Sequence, residues 1–598
     1  MLSSSKVDHD LPSAPASPWR AFRLAYHAEP RLLLVSFVLI TGAMIPESLN
    51  ALWLKLLADG VRGSSSTLIT TATVGFAASG VLGWVMRIVG DRVHFLFRER
   101  ATIAINSHVV ELQASVPTIE HHERPEYLDR LQILKDHAFL LNHLYHSAMS
   151  MLGSLIRLGL TVGLLVSVHP AMAGLLLFAA PTIWSSSWRA GVERKTEEAN
   201  AYLRRRARHL FDLGTQAGPA KEIRVAGAES WLVDKRRDAQ ATWFERIGRV
   251  RWATAASHAA AWTIFGVGYV VAVVFVTSVA HRGPGDVLLV LAAGANLSRY
   301  MGQTAGMADF LRWAIDASAR VAWLEDYAAR QRVGDGPAPQ RLHTGIRVDH
   351  VSFAYPGTSK LVLEDVDLEL PAGAVVAIVG ENGAGKTTLV KLLTRMYEPT
   401  SGRILVDGTE LSEIAPDEWR ARMGGAFQDF FRYEFLARQT VGLGDLARMD
   451  ELPALRAAIE RGGADDVLAK LPSGFETQLG PQWDEGVELS FGQWQKLALA
   501  RGFMRDDPLL LVLDEPTAAL DAETEHALFE RFAAAARGAT DDGRITVLVS
   551  HRFSTVRMAD LIVVLDGAHV VESGTHDELI ARGGLYAELY GIQASAYR

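Results

Sequence analysis

The sequence predicts a chain in two parts: an all-α half of six membrane-length helices, then an α/β half built on a parallel sheet. Three observations carry that division. Long apolar segments crowd the region before residue 310, and a chain of 598 residues with 49% hydrophobic content has room for several domains. A Gly/Pro-rich stretch, 333–340 (VGDGPAPQ), follows the helical pattern of 310–330 and reads as a linker. Beyond it, from 341 to 598, short apolar runs alternate with turns and helices, and none is long enough to cross a bilayer.

Residues 1–30 form a polar, Ser/Pro-rich segment. The domain that follows, 31–332, holds apolar segments near the ~20 residues that a bilayer requires. They lie at about 32–57, 67–89, 148–168, 171–188 and 257–280, with a sixth beginning near Val287 and interrupted by Asn296, Arg299 and Gln303. His169-Pro170 separates the third from the fourth. Loops after the first, third and fifth segments carry only Arg62, no cation, and Arg282. The stretches 91–142 and 189–253 are rich in Arg and Lys, including the run Arg204, Arg205, Arg206 and Arg208. By the positive-inside rule these stretches and both termini are cytoplasmic.

Structureless loops of such length are uncommon, and Gly and Pro are scarce in both stretches until Pro117, Pro125 and Gly218-Pro219. Each is therefore expected to be a pair of helical extensions joined by a turn, near 120–129 and 221–229. About 20 helical residues would reach ~30 Å beyond the membrane. Within the spans, Glu47, Arg87 and Arg157 are costly in lipid and must face protein or a wet cavity, either paired with one another or holding a charged substrate. Trp53, Trp84 and Trp262 either line an aromatic pocket or anchor the helices at the interface.

Composition removes several function classes. The chain has no cysteine, which excludes disulfides, thiolate metal sites and Cys nucleophiles. A net charge of −8 offers no basic excess for nucleic acid.

The second half carries a nucleotide site. The fully apolar run 374–379 (AVVAIV) has the texture of a buried parallel strand. It is followed by GENGAGKTT, residues 380–388, and then by a helical pattern from Leu389. This strand–GxxxxGK[ST]–helix arrangement marks a P-loop NTPase. Gly380, Gly383 and Gly385, with Glu381, Asn382 and Ala384 between them, let successive N–H groups cradle phosphate. Lys386 supplies a point charge to the β/γ-phosphates, and Thr387, followed by Thr388, can coordinate Mg2+. A second apolar strand, 509–513 (LLLVL), ends in Asp514-Glu515. Carboxylates at the carboxyl end of a parallel strand suit Mg2+ binding by Asp514 and polarisation of an attacking water by Glu515.

Between these elements stands ELSFGQWQKLALAR, residues 488–501. It resembles the signature motif of the ATP-binding cassette (ABC) superfamily, in the position where that family has it. The resemblance covers about 341–598 and implies ATP and Mg2+ as cofactors. It makes Tyr355, in FAYPG, the aromatic that stacks on adenine. Gln428, in GGAFQDF, becomes the glutamine that touches Mg2+ and water, Asp521 part of the loop that crosses between paired cassettes, and His551 the histidine that contacts the γ-phosphate. Ser490, Gly492 and Gln493 of the signature would approach the nucleotide of an opposite cassette. Glu485-Gly486 resembles the loop that meets the membrane domain. One departure is LSFGQ for the family's LSGGQ: Phe491 replaces a glycine, which restricts the backbone and implies either altered catalysis or a weaker site in a heterodimer.

Six spans fused to one cassette look like an exporter-type half-transporter, with the turns at 120–129 and 221–229 as coupling helices. The resemblance then implies an ATPase in the cell membrane, multi-pass, with its cassette cytoplasmic, dimerising with a second half-transporter as a homodimer or a heterodimer. Export of a hydrophobic or peptide substrate is the leading expectation. Import through an exporter-like fold, as in siderophore uptake, and a non-pumping ATP-gated channel or regulator are the alternatives. Richness in Ala, Gly and Arg suggests a bacterial source.

Overall fold

The computed structural model describes residues 16–330, 334–515, 543–550 and 553–596. The chain divides into two compact units: one joins the residues up to Gln113 with Arg130–Asp326, the other joins Ala114–Asp129 with Tyr327 onward.

The first unit is helical throughout. Its helices are α1 (Ala16–Ala28), α2 (Pro30–Gly42), α3 (Met44–Arg62), α4 (Ser66–Ala114), α5 (Pro125–Val168), α6 (Leu175–Ala199), α7 (Ala201–Thr215), α8 (Ala217–Val225), α9 (Glu229–Val274) and α10 (Pro284–Arg330). The segment read as polar and terminal thus contains a helix, α1, whose Arg20 pairs with Asp326 at 2.8 Å and Glu325 at 3.2 Å. At 1.5 Å per residue, the 44 to 49 residues of α4, α5, α9 and α10 make rods of roughly 65–75 Å, far beyond the hydrocarbon thickness.

Among the described residues, four helical stretches are long and apolar enough to cross a membrane: Pro30–Arg62, Ser66–Ala114, Leu144–Val168 and Glu229–Val279. The fourth and sixth expected spans fall on α6 and α10, which form but are less apolar. The reason is visible in their packing. α6 buries Thr182 and Ser185, whose hydroxyls bond the Ala179 carbonyl at 2.7 Å and Ser257 at 3.0 Å. α10 spends Asn296, Arg299 and Gln303 on polar contacts, such as Arg299 to Asn296 at 2.6 Å and Arg157 to Gln303 at 2.8 Å. A shared apolar core of Leu165, Ala179, Phe265, Ala272, Leu289 and Leu297 still ties α5, α6, α9 and α10 together. α6 starts four residues later than expected because Pro170–Gly174 is a 3-10 turn, opened by the His169 ring, which accepts from the Ala171 N–H.

Gly218-Pro219 does not break the second extension. The break falls at Gln216, whose ψ of 145° ends α7, and Pro219 sits in the first turn of α8, where its missing N–H costs nothing.

The second unit is α/β. Its strands are β1 (Gly345–Phe353), β2 (Leu363–Pro371), β3 (Val375–Gly380), β4 (Ser401–Val406), β5 (Thr409–Glu410), β6 (Met423–Ala426), β7 (Leu510–Asp514), β8 (Ile545–Val549), β9 (Leu561–Asp566) and β10 (His569–Gly574). The order β10-β9-β3-β8-β7-β6 forms one sheet, parallel except for β10, and β2-β1-β4-β5 forms a separate antiparallel sheet. Helix α11 (Lys386–Leu393) follows β3 directly. A helical lobe of α12 (Ala437–Gly442), α13 (Leu452–Arg461), α14 (Asp465–Lys470) and α15 (Phe491–Gly502) buries Val441, Leu455, Ile459, Val467, Trp494 and Leu497.

The linker docks onto this unit: Gly336 N–H donates to the Glu413 carbonyl at 3.0 Å, and Ala415 N–H to the Gly336 carbonyl at 2.7 Å. A Cβ at Gly334, where φ is +73°, would meet the Ser412 carbonyl at 2.5 Å. The composition that reads as a flexible joint is here required by close backbone approach.

Candidate functional site

β3 is buried along its length, and the chain leaves it at Gly380 with φ +151°, passing Gly383 at +87° and Gly385 at +100° before α11 begins. At Gly385 a Cβ would also meet the Val362 carbonyl at 2.8 Å, so both conformation and space demand glycine. The Lys386 ammonium is folded back into the loop, donating to the carbonyls of Gly380 at 2.9 Å and Glu381 at 3.0 Å. Burial pushes its pKa down, while Glu515 and Asp514 pull the other way.

Adjacent β7 delivers Asp514 and Glu515. Asp514 is 1% exposed, and neither carboxylate oxygen closes a hydrogen bond among the described residues. Burial pushes its carboxyl up to about 6, the charges of Glu515 and Asp429 add to that, and the Thr387 hydroxyl and Lys386 pull it back. A buried carboxylate without a partner, next to a threonine hydroxyl, is a donor set that fits Mg2+, a hard cation that takes oxygen ligands. Glu515 has φ +47°, uncommon for a side chain with a Cβ and a form of strain that concentrates at functional sites. Its N–H donates to the Val549 carbonyl at 3.0 Å, and its Oε2 accepts from Gln428 Nε2 at 2.7 Å. The structure thus gathers Gln428, Glu515, Asp514, Thr387 and Lys386 around one point. Asp429 was not among the residues the sequence singled out. Its signal was only adjacency to Gln428 in QDF, which says nothing about which way a carboxylate points.

Tyr355 is held beside the loop: its hydroxyl shares a 2.9 Å hydrogen bond with Thr388, its ring lies edge-on to Phe353 and Tyr397, and the Lys391 ammonium sits 5.4 Å from its centroid. The first predicted coupling turn belongs to this unit. Glu120–His122 forms a 3-10 turn, Ile119 N–H donates to the Met396 carbonyl at 3.0 Å, Arg420 donates to the Pro117 carbonyl, and Glu123 lies 3.9 Å from Lys391. Burial raises the Tyr397 pKa, and the negative charge of nearby Glu123 adds to it.

The signature is built differently. Ser490 is the N-cap of α15: its hydroxyl accepts from Gln493 N–H at 3.4 Å, and its own N–H donates to Gln493 Oε1 at 2.8 Å. That reciprocal box fixes the helix start. Phe491 takes a helical position without positive φ, so the restriction expected from replacing glycine does not arise. Its ring is half exposed, lies 5.3 Å from Phe430, and carries the Arg432 guanidinium at 5.5 Å. No hydrogen bond or ion pair joins Ser490, Gly492 or Gln493 to residues 380–388 among the described residues. His551 and Asp521 lie outside the described residues.

Residues 363–518 match the family model described as ABC transporter. The cassette belongs to the ABC transporter family. The chain is 42% identical over 255 residues to an ATP-dependent lipid A-core flippase of Ralstonia nicotianae, an alignment covering 42% of this chain and 41% of that protein. It is 39% identical over 270 residues to a Staphylococcus aureus protein named for multidrug export, an ATP-binding/permease protein, covering 45% and 44%. The aligned stretch therefore spans less than half the length of these curated relatives. The fold resemblance runs further: the structure of a bacterial Atm1-family ABC exporter with ATP bound matches 95% of this chain and 99% of its own at a TM-score of 0.77 and 23% identity. The helical half thus has the fold of an exporter's membrane domain, joined to the cassette in one chain.

Proposed function

We propose that the chain is one half of a dimeric transporter in which ATP hydrolysis drives export across the cell membrane. The observation that carries this reading is the divided nucleotide site. Lys386, Thr387, Asp514, Gln428 and Glu515 converge on one face, while among the described residues Ser490 and the start of α15 make no bond to that face. A second copy, or a related half, would supply its own Ser490 and Gly492 to close the site over the nucleotide.

In that arrangement the glycine-rich loop and the N-terminus of α11 bind the phosphates, and Lys386 neutralises charge at the β/γ oxygens. Mg2+, held by Thr387 and Asp514, would offset the charge that develops on the transferring phosphoryl group. Glu515 is positioned to accept a proton from the attacking water, oriented by its bond to Gln428. Inverting a two-state equilibrium from 1:99 to 99:1 requires ~5.5 kcal/mol of differential binding, which the two nucleotides closed between two cassettes would have to supply. Loss of the γ-phosphate contact would reopen the pair. Helix α8 has no buried residue, and its Val225 is 91% exposed, which supports docking of this second coupling segment onto the partner.

The test is vanadate-sensitive ATP hydrolysis by the chain alone in nanodiscs, with particle mass measured on the same sample. Turnover from a two-chain particle is the expected result. A monomeric, inactive particle would overturn the homodimer and direct the search to a partner half.

A further inference from the structure

Inside the first unit a cavity of about 750 Å3, a volume suited to a small ligand, is lined by charged residues from four helices. At its centre Glu47 of α3 meets three guanidinium groups: Arg87 of α4 at 3.3 Å, Arg157 of α5 at 3.5 Å and Arg299 of α10 at 3.8 Å. Arg87 and Arg157 approach Oε2, while Arg299 approaches Oε1, to which the Tyr300 hydroxyl donates at 3.4 Å. Asp91 also lines the cavity and makes no ion pair among the described residues, so the walls keep one positive charge in excess.

The three arginines are not equivalent. Arg157 has a side chain only 7% exposed, anchored by Gln303 at 2.8 Å and by the Tyr300 ring 3.9 Å away, and its Nε is buried without a hydrogen-bond partner. Arg87 and Arg299 have side chains 59% and 51% exposed, and they touch Glu47 with geometry too long for a good fork, Arg299 also donating to Asn296 Oδ1 at 2.6 Å. One carboxylate cannot satisfy fifteen guanidinium donors, since it offers about four lone-pair sites. Three cations around one anion among membrane-length helices leave an unmatched positive charge, which a second anion would balance. Ile40, Met44, Met307 and Phe310 form apolar wall on the same cavity.

We propose that this cavity binds an amphipathic anion, a carboxylate or phosphate carried on a hydrophobic chain. Arg87 and Arg299 grip its charged end, and Glu47 is the resident counter-ion against which it competes. The inference rests on the transport reading for its purpose but not for its chemistry, because binding can be measured without nucleotide. Glu47 keeps the cavity from gathering three uncompensated cations, and an incoming anion takes over the two more exposed arginines, Arg299 keeping its bond to Asn296, while Arg157 stays with Glu47.

The experiment measures binding to the full chain in phosphatidylcholine nanodiscs without nucleotide, using dodecyl phosphate, dodecanoate, dodecanol and dodecyltrimethylammonium. Both anions should bind at least about tenfold more tightly than the alcohol or the cation. Arg87→Gln and Arg299→Gln, at positions exposed enough to spare the fold, should each erase several-fold of that preference and leave dodecanol binding unchanged. Glu47→Gln should raise anion affinity. Equal or tighter binding of the cation, or weaker anion binding by Glu47→Gln, overturns the proposal. Competition by phosphatidic acid placed in the nanodisc would assign the anion to a lipid headgroup, and its absence to a water-borne amphiphile, the site standing in both cases. Anion binding that leaves ATP hydrolysis unchanged would remove the transport reading while keeping the site.

Discussion

Two carboxylates in this chain, the buried Asp514 and the half-buried Glu47, face opposite electrostatic problems. Asp514 in the cassette lies near Glu515 and Asp429, with neither of its oxygens hydrogen-bonded among the described residues, and burial holds its carboxyl near 6. Glu47 in the helical unit is surrounded by Arg87, Arg157 and Arg299. The first environment is short of cations and the second has too many. A protein interior tolerates neither imbalance cheaply, so each is best understood as half of an interaction completed by a ligand. The cassette calls for a divalent cation with its nucleotide, and the helical cavity for an anion. The comparison also separates two kinds of construction: the cassette builds its site from neighbouring residues on a rigid sheet, while the cavity borrows single side chains from four long helices.

The largest expected effect breaks the chemistry of the first site without its charge balance. Glu515→Gln keeps the size and the contact with Gln428 but removes the proton acceptor, so hydrolysis should fall by roughly 10²–10⁴. ATP affinity should persist, with a closed dimer accumulating. Undiminished hydrolysis would mean that Glu515 is not the base. Lys386→Ala leaves the phosphate loop without its cation and exposes the Gly380 and Glu381 carbonyls to bound phosphate. ATP binding should weaken by about 100-fold or more, read by equilibrium titration.

A pH series sharpens the claim that Asp514 awaits a metal. A carboxyl held near 6 must lose its proton before it can ligate, so Mg2+-dependent ATP affinity should decline as pH falls through 6. Asp514→Asn should remove both the Mg2+ dependence and this pH dependence. A wild-type profile that stays flat down to pH 5 would show that the carboxylate is already ionised and paired.

Much of the cassette was legible in the sequence because its chemistry is contiguous. The run from Gly380 to Thr388 and the pair Asp514-Glu515 each sit on one strand end, and strand ends follow from short apolar runs. The cavity was only half legible. Glu47, Arg87 and Arg157 stood out as charges in apolar helices, but Arg299 and Gln303 read merely as interruptions of the last span. The Tyr300–Glu47 contact bridges 253 residues of sequence, a pairing that no helical periodicity encodes. Trp53, Trp84 and Trp262 proved not to line that cavity: Trp53 bonds Ser79 at 2.8 Å, and Trp84 is 66% exposed.

Phe491 tests whether the signature depends on the segment after Gln428. Its ring contacts Phe430 and carries Arg432, interactions worth about 0.5–1.5 kcal/mol each. Phe491→Ala should shift the ATP concentration for half-maximal hydrolysis by about 2–10-fold and leave Mg2+ dependence untouched. An unchanged value would make the aromatic pair a surface contact only.

The smallest effect sets His121 against Asp514, since the two load the same pH range with opposite sign. His121, in the 3-10 turn Glu120–His122, is 2% exposed, packed between His122, Tyr127 and Tyr327, and burial lowers its pKa to about 4. The unfolded imidazole takes up its proton near 6.5, so between about 6.5 and 4 the unfolded state binds more protons and falling pH removes stability. For Asp514 the native state binds the extra proton between about 4 and 6, and falling pH restores stability there. Acidification from 7 to 5 should therefore loosen residues 114–129 while tightening the strand that carries Asp514. Hydrogen exchange of the full chain, corrected for intrinsic rates, would read the two segments separately. His121→Phe, which fills the same pocket without titrating, should flatten the response of 114–129 alone. If both segments loosen together in that variant, the acid response belongs to the unit as a whole rather than to this buried imidazole.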